Sequence, residues 1–162
     1  SRVTLTGGSV TGSVSGGSGG WGGYGVVTSG TTIIGNVVSS NGSIRMTGGS
    51  VDGNVTGANG VTTTGGTVVT GNVRSSNGAI SLTGGSVGSV YSGCCTLTTN
   101  GTDILGSVSA IIGSASDTVS ITGGTISGAI STSGGSGIFI TNATMTGGSI
   151  TATNVPIQIS GS

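Results

Sequence analysis

Charged side chains are almost missing from this chain. Its 162 residues have a formal net charge of zero, 4% of them are charged, and lysine, glutamate and histidine do not occur. The charged residues are three arginines and three aspartates: Arg2, Arg45, Arg74, Asp52, Asp103 and Asp117. Nucleic acids and anionic membranes are bound by clustered cations. The composition therefore excludes both as partners recognised by charge.

The same scarcity argues against catalysis. Glycosidases and lyases need a pair of carboxylates, or a carboxylate with a base. The three aspartates fall in different segments, and no glutamate, lysine or histidine accompanies them. Two cysteines alone rarely build a zinc site, and the calcium-binding repeat Gly-Gly-x-Gly-x-Asp is absent. We predict that the protein is not an enzyme and holds no cofactor or metal.

Helix signals are missing as well. Aromatic residues make up 2% of the chain and there is one proline, whereas glycine occurs 38 times. No apolar stripe follows the helical spacing i, i+3, i+4, and the abundant glycine, serine, threonine, asparagine and valine are poor helix formers. No apolar run approaches the roughly 18 residues of a membrane span, so we expect no membrane insertion. These absences favour an all-β protein.

The chain repeats itself about every 18 residues. Asn-Gly recurs at Asn41, Asn59 and Asn77, and Gly-Asn-Val recurs with the same interval. A period this short is typical of coils stacked on one another. The predicted coils begin at Val3, Val26, Ile44, Val61, Ile80, Leu97, Val119 and Ile138, with a partial ninth from Pro156. The sequence therefore predicts one domain over residues 1–162, a β-solenoid of about eight coils.

Each coil starts with an alternating strand. In Val3-Thr4-Leu5-Thr6 the aliphatic and hydroxylated residues alternate, which is typical of a half-buried strand. A Thr-Gly-Gly corner follows, and it occurs six times, at Thr6, Thr47, Thr64, Thr83, Thr122 and Thr146. The next predicted strand has a central glycine at Gly12, Gly53 or Gly128, which either points inward or bends the strand. The Asn-Gly return predicts an amide ladder of Asn41, Asn59 and Asn77.

Two inserts interrupt the repeat. The loop at 15–25 is rich in glycine and carries Trp21 and Tyr24. Its tryptophan either covers the end of the core or contacts a subunit or ligand, as aromatic residues often do, and Tyr91 is a further contact candidate. The second insert, 109–118, carries Ile111 and Ile112. These isoleucines either pack on a neighbour or cover their own coil.

The two cysteines are adjacent, at Cys94 and Cys95. Because vicinal disulfides are strained, we expect no ordinary bond between them. Either both are small side chains at a corner, or at least one bonds a neighbouring subunit in an oxidising, extracellular setting.

Both ends of the predicted array are open β edges without a charged or helical cap. Val3 and Leu5 lie on the first strand, and Ile157 and Ile159 on the last. An open edge invites pairing with another chain, and head-to-tail pairing produces a filament. We therefore expect a structural subunit of an extracellular or cell-surface fibre that polymerises with itself. Because the chain begins Ser1-Arg2 rather than with methionine, we expect a processed product or a piece of a longer protein.

The repeat strings carry a resemblance. Val-Thr-Leu-Thr-Gly-Gly-Ser-Val-Thr-Gly-Ser-Val (3–14) and Gly-Gly-Thr-Val-Val-Thr-Gly-Asn-Val (65–73) resemble the repeats of MshQ-like bacterial surface proteins and are similar to the coil unit of bactofilins, polymer-forming β-helix proteins. The resemblance implies a β-helix that polymerises, and no chemistry. Bactofilins carry more charge than this chain.

A rival function rests on outward threonines. Those at the end of the first strand of a coil approach the flat Thr-x-Thr lattice of ice-binding β-solenoids: Thr6, Thr47, Thr64, Thr83, Thr122 and Thr141. Arg45 and Phe139 interrupt the neighbouring file, and the coils at Val26 and Leu97 break the threonine file. Outward threonine is also favoured on any β surface. Ice is thus an alternative partner. A polysaccharide is another, if the protein is the stalk of a carbohydrate-binding adhesin.

Overall fold

The computed structural model describes residues 1–17 and 23–161. Within these ranges the chain is all-β and forms 25 short strands with no helix. None of the described residues forms a helix of the length and apolarity that a membrane crossing requires. Every strand pairing is parallel, and each of the eight complete coils contributes one strand to each of three sheets. The result is a three-sided β-solenoid.

The first sheet has nine strands, each beginning a coil. They are β1 (Val3–Thr6), β4 (Tyr24–Ser29), β7 (Ser43–Thr47), β10 (Val61–Thr64), β13 (Ile80–Thr83), β16 (Leu97–Asn100), β19 (Val119–Thr122), β22 (Ile138–Thr141) and β25 (Ile157–Ser160).

The second and third sheets have eight strands each. The second contains β2 (Ser9–Thr11), β5 (Thr32–Ile34), β8 (Ser50–Asp52), β11 (Val68–Val69), β14 (Ser86–Val87), β17 (Asp103–Ile104), β20 (Thr125–Ile126) and β23 (Thr144–Met145). The third contains β3 (Val14–Gly16), β6 (Val37–Ser39), β9 (Val55–Gly57), β12 (Val73–Ser75), β15 (Val90–Ser92), β18 (Val108–Ile111), β21 (Ile130–Ser133) and β24 (Ile150–Thr153).

The register confirms the predicted coil starts. Val3 pairs with Val26, and the same column continues through every predicted start to Ile157. The period averages about 19 residues, slightly above the predicted 18. Five of the six Thr-Gly-Gly segments form the corner between the first and second sheets. The sixth, at Thr146, instead follows β23 and lies at the next corner.

The predicted second strand is in fact two strands. It bends at its central glycine, so that β8 ends at Asp52 and β9 begins at Val55. Gly12 and Gly53 have φ values of 121° and 157°. The glycine therefore makes a corner, and the reading in which it points inward within a continuous strand is wrong. The bend gives the coil its third side.

This second corner contains a column of stacked glycines. A Cβ added to most of them would approach the backbone of the glycine in the coil beneath to within 3.0 Å: Gly35, Gly53, Gly71, Gly88, Gly128 and Gly148. Stacked backbone leaves no room for a side chain there. Glycine is therefore required by the contact between coils as well as by the turn.

The amide ladder lies beside this glycine column. The Oδ1 of Asn36 accepts the N–H of Asn54 at 2.8 Å, and the Oδ1 of Asn54 accepts the N–H of Asn72 at 2.9 Å. Ser89 and Ser107 extend the ladder. At the Asn-Gly return, by contrast, Asn59 Nδ2 donates to the backbone oxygen of Asn41. The ladder thus forms at Gly-Asn, and not at Asn41, Asn59 and Asn77.

The core is a set of aliphatic columns along the axis. Val26, Ile44, Leu97 and Ile138 in the first sheet are fully buried, and so are Ile33 to Ile126 in the column of the second sheet and Val37 to Ile130 in that of the third. Burying a side chain of this kind stabilises the fold by about 2 kcal/mol. The backbone hydrogen bonds between strands and the packing of aliphatic side chains on one another therefore both run along the solenoid axis.

One inner column alternates between coils. Leu5, Met46 and Leu82 come from odd coils, whereas Thr28, Thr63 and Thr99 come from the even coils between them. The first corner alternates as well, because Gly49 and Gly85 in odd coils neighbour the buried Thr31, Thr67 and Thr102 in even ones. An odd coil thus has a large inward side chain and a corner glycine, such as Met46 and Gly49, where an even coil has two threonines, such as Thr63 and Thr67. The packing repeat is two coils in this part of the array.

Candidate functional site

The N-terminal end of the array presents three open strand edges. Among the described residues, β1, β2 and β3 each have a single strand neighbour, on the side of the second coil. Their inward side chains include Val3, Leu5 and Val10, which are half-buried against the core, and Val14, which is buried. The first coil thus has an apolar rim, and on one side its strands have no strand partner among residues 1–17 and 23–161.

The C-terminal end is open too, but it is stepped. The first sheet continues to β25, whereas the second and third sheets end at β23 and β24. Each of these strands has one strand neighbour within the part of the chain described. Ile157 and Ile159 on β25 are 42% and 55% exposed, so the last strand covers the core and is itself uncovered.

An open cavity of about 340 Å³ lies under this step. Its walls are aliphatic apart from one threonine, and they come from the last two coils: Ile140, Ala143, Thr144, Met145, Ile150 and Ile159. Met145, Ile150 and Ala152 beside it are only partly buried. The aliphatic columns are therefore interrupted here.

The structure places the predicted contact residues in different regions. Val3 and Leu5 lie at one axial end, and Ile157 and Ile159 at the other. Tyr24 begins β4 in the second coil, where the register shifts before Val26. Trp21 falls outside the described residues.

Tyr91 is far from both ends. It lies on the outer face of the third sheet, where the guanidinium carbon of Arg74 is 4.8 Å from the centroid of its ring. Arg74 and Tyr91 are register partners on β12 and β15. This cation–π contact links two successive coils on the side of the array.

The expectation for the cysteines is wrong. Cys94 and Cys95 form a disulfide with each other, and no cysteine of the chain is free. The pair lies in the return between β15 and β16, where Ser92 Oγ donates to the Cys95 carbonyl at 2.9 Å and Gly113 N–H donates to the Cys94 carbonyl at 3.0 Å. This anchored return holds the two cysteines as one corner unit. Neither sulfur is left to bond a neighbouring subunit.

The second insert covers its own coil with one of its two isoleucines. Ile112 is 5% exposed and belongs to the core, whereas Ile111, at the end of β18, is 51% exposed. The Oδ1 of Asp117 accepts the hydroxyl of Thr96, and the Asp117 carbonyl accepts the N–H of Ser136. The insert is thus bonded to the coils on both sides.

The carboxylates serve as links between coils. Asp52 accepts the hydroxyl of Thr70 at 2.9 Å, and Asp103 accepts the N–H and hydroxyl of Thr125 at 3.0 and 2.7 Å. Residues 1–17 and 23–161 contain no group of three or more histidine, cysteine, aspartate or glutamate side chains suited to hold a metal.

The six outward threonines lie in one file of the first sheet. Register pairs join Thr6 through Ser29 to Thr47 and Thr64, and Thr83 through Asn100 to Thr122 and Thr141. The neighbouring file includes Arg45 and Phe139, as expected from the sequence. Only Ser29 and Asn100 interrupt the threonine file before Ser160.

Comparison with known proteins adds no relative: no protein-family model, curated protein or solved structure matches this chain.

Proposed function

We propose that this protein is a structural subunit that polymerises end to end into a fibre. The observation that carries the proposal is the pair of open axial ends, each with apolar columns and unpaired strand edges among the described residues. Natural β proteins usually protect such edges with charge, proline, bulges or a covering segment. A second copy supplies both the backbone partners and the apolar cover.

Composition supports the same proposal. The chain has no net charge, and residues 118–162 contain no charged side chain. Subunits that approach end to end therefore meet no electrostatic repulsion, and net charge is what normally keeps soluble proteins apart. The fibre is proposed to be extracellular or on the cell surface, in keeping with the disulfide between Cys94 and Cys95.

The proposal is tested by sedimentation velocity over a range of concentrations, comparing Leu5→Ser with Thr4→Ser. Leu5 points into the open end of the core, whereas Thr4, the preceding residue, is outward and exposed. We expect the unchanged chain and Thr4→Ser to form large species as concentration rises. Leu5→Ser is expected to need about tenfold more protein, which corresponds to the loss of one apolar contact per junction.

Circular dichroism controls for folding, because both variants must keep the β-sheet spectrum. Persistently monomeric protein at every concentration contradicts the proposal. So does an equal effect of the two variants, since it would place the contact elsewhere than on the apolar columns.

A second candidate function, ice binding, is favoured by the threonine file. The register aligns all six predicted threonines on one face of the first sheet, and Thr64 Oγ1 donates to Thr47 Oγ1 at 3.3 Å. Thermal hysteresis of the monomer tests it. Activity that disappears in Thr83→Tyr and persists in Ser131→Tyr, an outward position on the third sheet, would favour ice binding; no hysteresis in the unchanged chain would exclude it.

A further inference from the structure

We propose that β25 is an exchangeable cap, which occupies on β22 the place that β1 of the next copy takes in the fibre. This inference rests on the proposed polymerisation and specifies its register. It starts from the step at the C-terminal end, where β25 adds a ninth strand to one sheet while the other two sheets stop at eight.

A second copy does not fit on the stepped end while β25 stays in place. Its first coil brings β1, β2 and β3, one strand for each sheet. If β1 of the second copy stacked on β25, its β2 and β3 would lie two strand spacings above β23 and β24. One strand position, about 4.8 Å, would remain empty in each of those two sheets. Backbone groups and apolar side chains would both be left without partners across the gap.

Removing β25 makes the two ends flush. The last strands of the three sheets are then β22, β23 and β24, and the first coil of the second copy covers all three. Like meets like along the inner columns: Val3 and Leu5 of the second copy stand over Ile138 and Ile140, Val10 over Met145, and Val14 over Ile150. Leu5 then takes the place of Ile159 in the wall of the cavity of about 340 Å³, and Val10 covers Met145 in the same wall.

The second corner fits in the same register. Gly12 of the second copy stands over Gly148, which continues the glycine column in which a side chain would meet the backbone beneath. Ser13 of the second copy stands over Ser149, in the position where the N–H of Asn36 donates to Ser13 Oγ within one chain. The corner ladder can therefore run across the junction without a change of residue type.

The contacts of β25 suit it to exchange. All four of its residues are exposed, including both isoleucines, and its one strand neighbour among the described residues is β22. When β1 replaces it, one strand pair is traded for another on β22, and two further pairs form on β23 and β24. Exchange thus gains contacts overall, whereas stacking on β25 gains a single pair. The segment that leads into β25 contains Asn154 at φ 61° and the single proline, Pro156, so a turn already separates it from β24.

The lack of charge at the C-terminal end also favours a second copy of this chain as the partner that binds there. The uncharged C-terminal end offers nothing to a partner that is recognised through its charge, whereas the first coil of a second copy is apolar and hydroxylated, with Arg2 as its one charged residue. The structure therefore favours another copy of this chain on the end that β25 covers.

The test uses a double variant that carries both Ile157→Ser and Ile159→Ser. Its control is Gln158→Ser, on the same strand. The two isoleucines point toward the core, and Gln158 points outward beside Phe139. Loosening β25 is expected to lower the critical concentration for polymerisation about tenfold, whereas Gln158→Ser is expected to leave it unchanged. Stacking on an intact β25 predicts the opposite sign, because the double variant would remove the surface on which the next copy sits.

Helical reconstruction of the fibres by electron microscopy gives a second, independent readout. Exchange predicts eight strands per subunit in every sheet and a subunit rise of roughly 38 Å. A retained β25 predicts nine strands in the first sheet, one empty position in each of the other two sheets, and a rise of roughly 43 Å. A higher critical concentration in the double variant, or a subunit rise of roughly 43 Å, contradicts the proposal that β1 replaces β25, and remains consistent with end-to-end polymerisation. If neither the unchanged chain nor the double variant polymerises, the proposed function itself is overturned.

Discussion

The middle of the array and its two ends are built from the same columns, yet they differ in how many neighbours each coil has. Ile104, in the middle, is fully buried, whereas Ile159, in the last coil, is 55% exposed. An interior strand is paired on both sides, and a terminal strand on one. In a stacked repeat, each unit is stabilised by its neighbours. The comparison teaches that the interior coils carry the stability of the fold, while the described terminal strands are paired on one side only.

The largest effect is expected from removing an interior side chain. Ile104→Ala should reduce the free energy of unfolding by about 4 kcal/mol, because it leaves a cavity in a closed column. Ile159→Ala, the same change at the end, should cost about 1 kcal/mol, because that side chain is already half in solvent. Urea unfolding of the monomer measures both. Equal losses would show that the ends are as tightly packed as the middle.

A somewhat smaller effect is expected at the glycine column. A Cβ at position 71 would lie closer than 3.0 Å to the backbone of Gly53 in the coil beneath. Gly71→Ala should therefore destabilise the fold by about 3 kcal/mol through overpacking. Gly113→Ala is the control, because a Cβ there meets nothing within 4 Å. If both variants unfold at the same urea concentration, close stacking of the corner is not what requires glycine.

A stabilising change is expected in the alternating column. The hydroxyl of Thr63 is buried and has no hydrogen-bond partner within the described part of the chain. Thr63→Val should raise the free energy of unfolding by about 1 kcal/mol, since it removes an unsatisfied polar group at nearly constant volume. Thr62→Val, on the outer face of the same strand, should change it little. A loss of stability in Thr63→Val would mean that the hydroxyl is satisfied.

No effect on assembly is expected from the cysteines. Because Cys94 and Cys95 bond each other, iodoacetamide should leave the mass of the unfolded, unreduced chain unchanged and should add two groups after reduction. Fibres should also dissolve in denaturant without reductant. A disulfide-linked dimer on a non-reducing gel would contradict this pairing.

The sequence predicted the coils well because their signals are local. Aliphatic and hydroxylated residues alternate in first strands such as Val3–Thr6 and Ile80–Thr83, and the register confirms the eight predicted starts from Val3 to Ile138. The third side of the coil was harder to predict. Val51 and Val55 are both inward whether or not the strand bends between them, so alternation alone does not reveal the corner at Gly53. The recurrence of Gly-Asn at the coil interval is the signal that identifies it.

The candidate site was predicted only in part, because it depends on where strands end in space. The apolar residues of both edges can be read from the sequence. The step between β25 and the other two sheets cannot, since it requires knowing that each coil has three sides. The disulfide was missed because adjacent cysteines were expected to avoid bonding, whereas the return after β15 holds them together.

The central claim is that copies stack end to end along the solenoid axis, and electron microscopy of the concentrated protein tests it most directly. The account predicts unbranched fibres one solenoid wide, whose power spectrum has a reflection near 4.8 Å along the fibre axis, since the strands lie across it. Discrete monomers would contradict the account. So would fibres with this reflection perpendicular to their axis, because the solenoids would then be packed side by side.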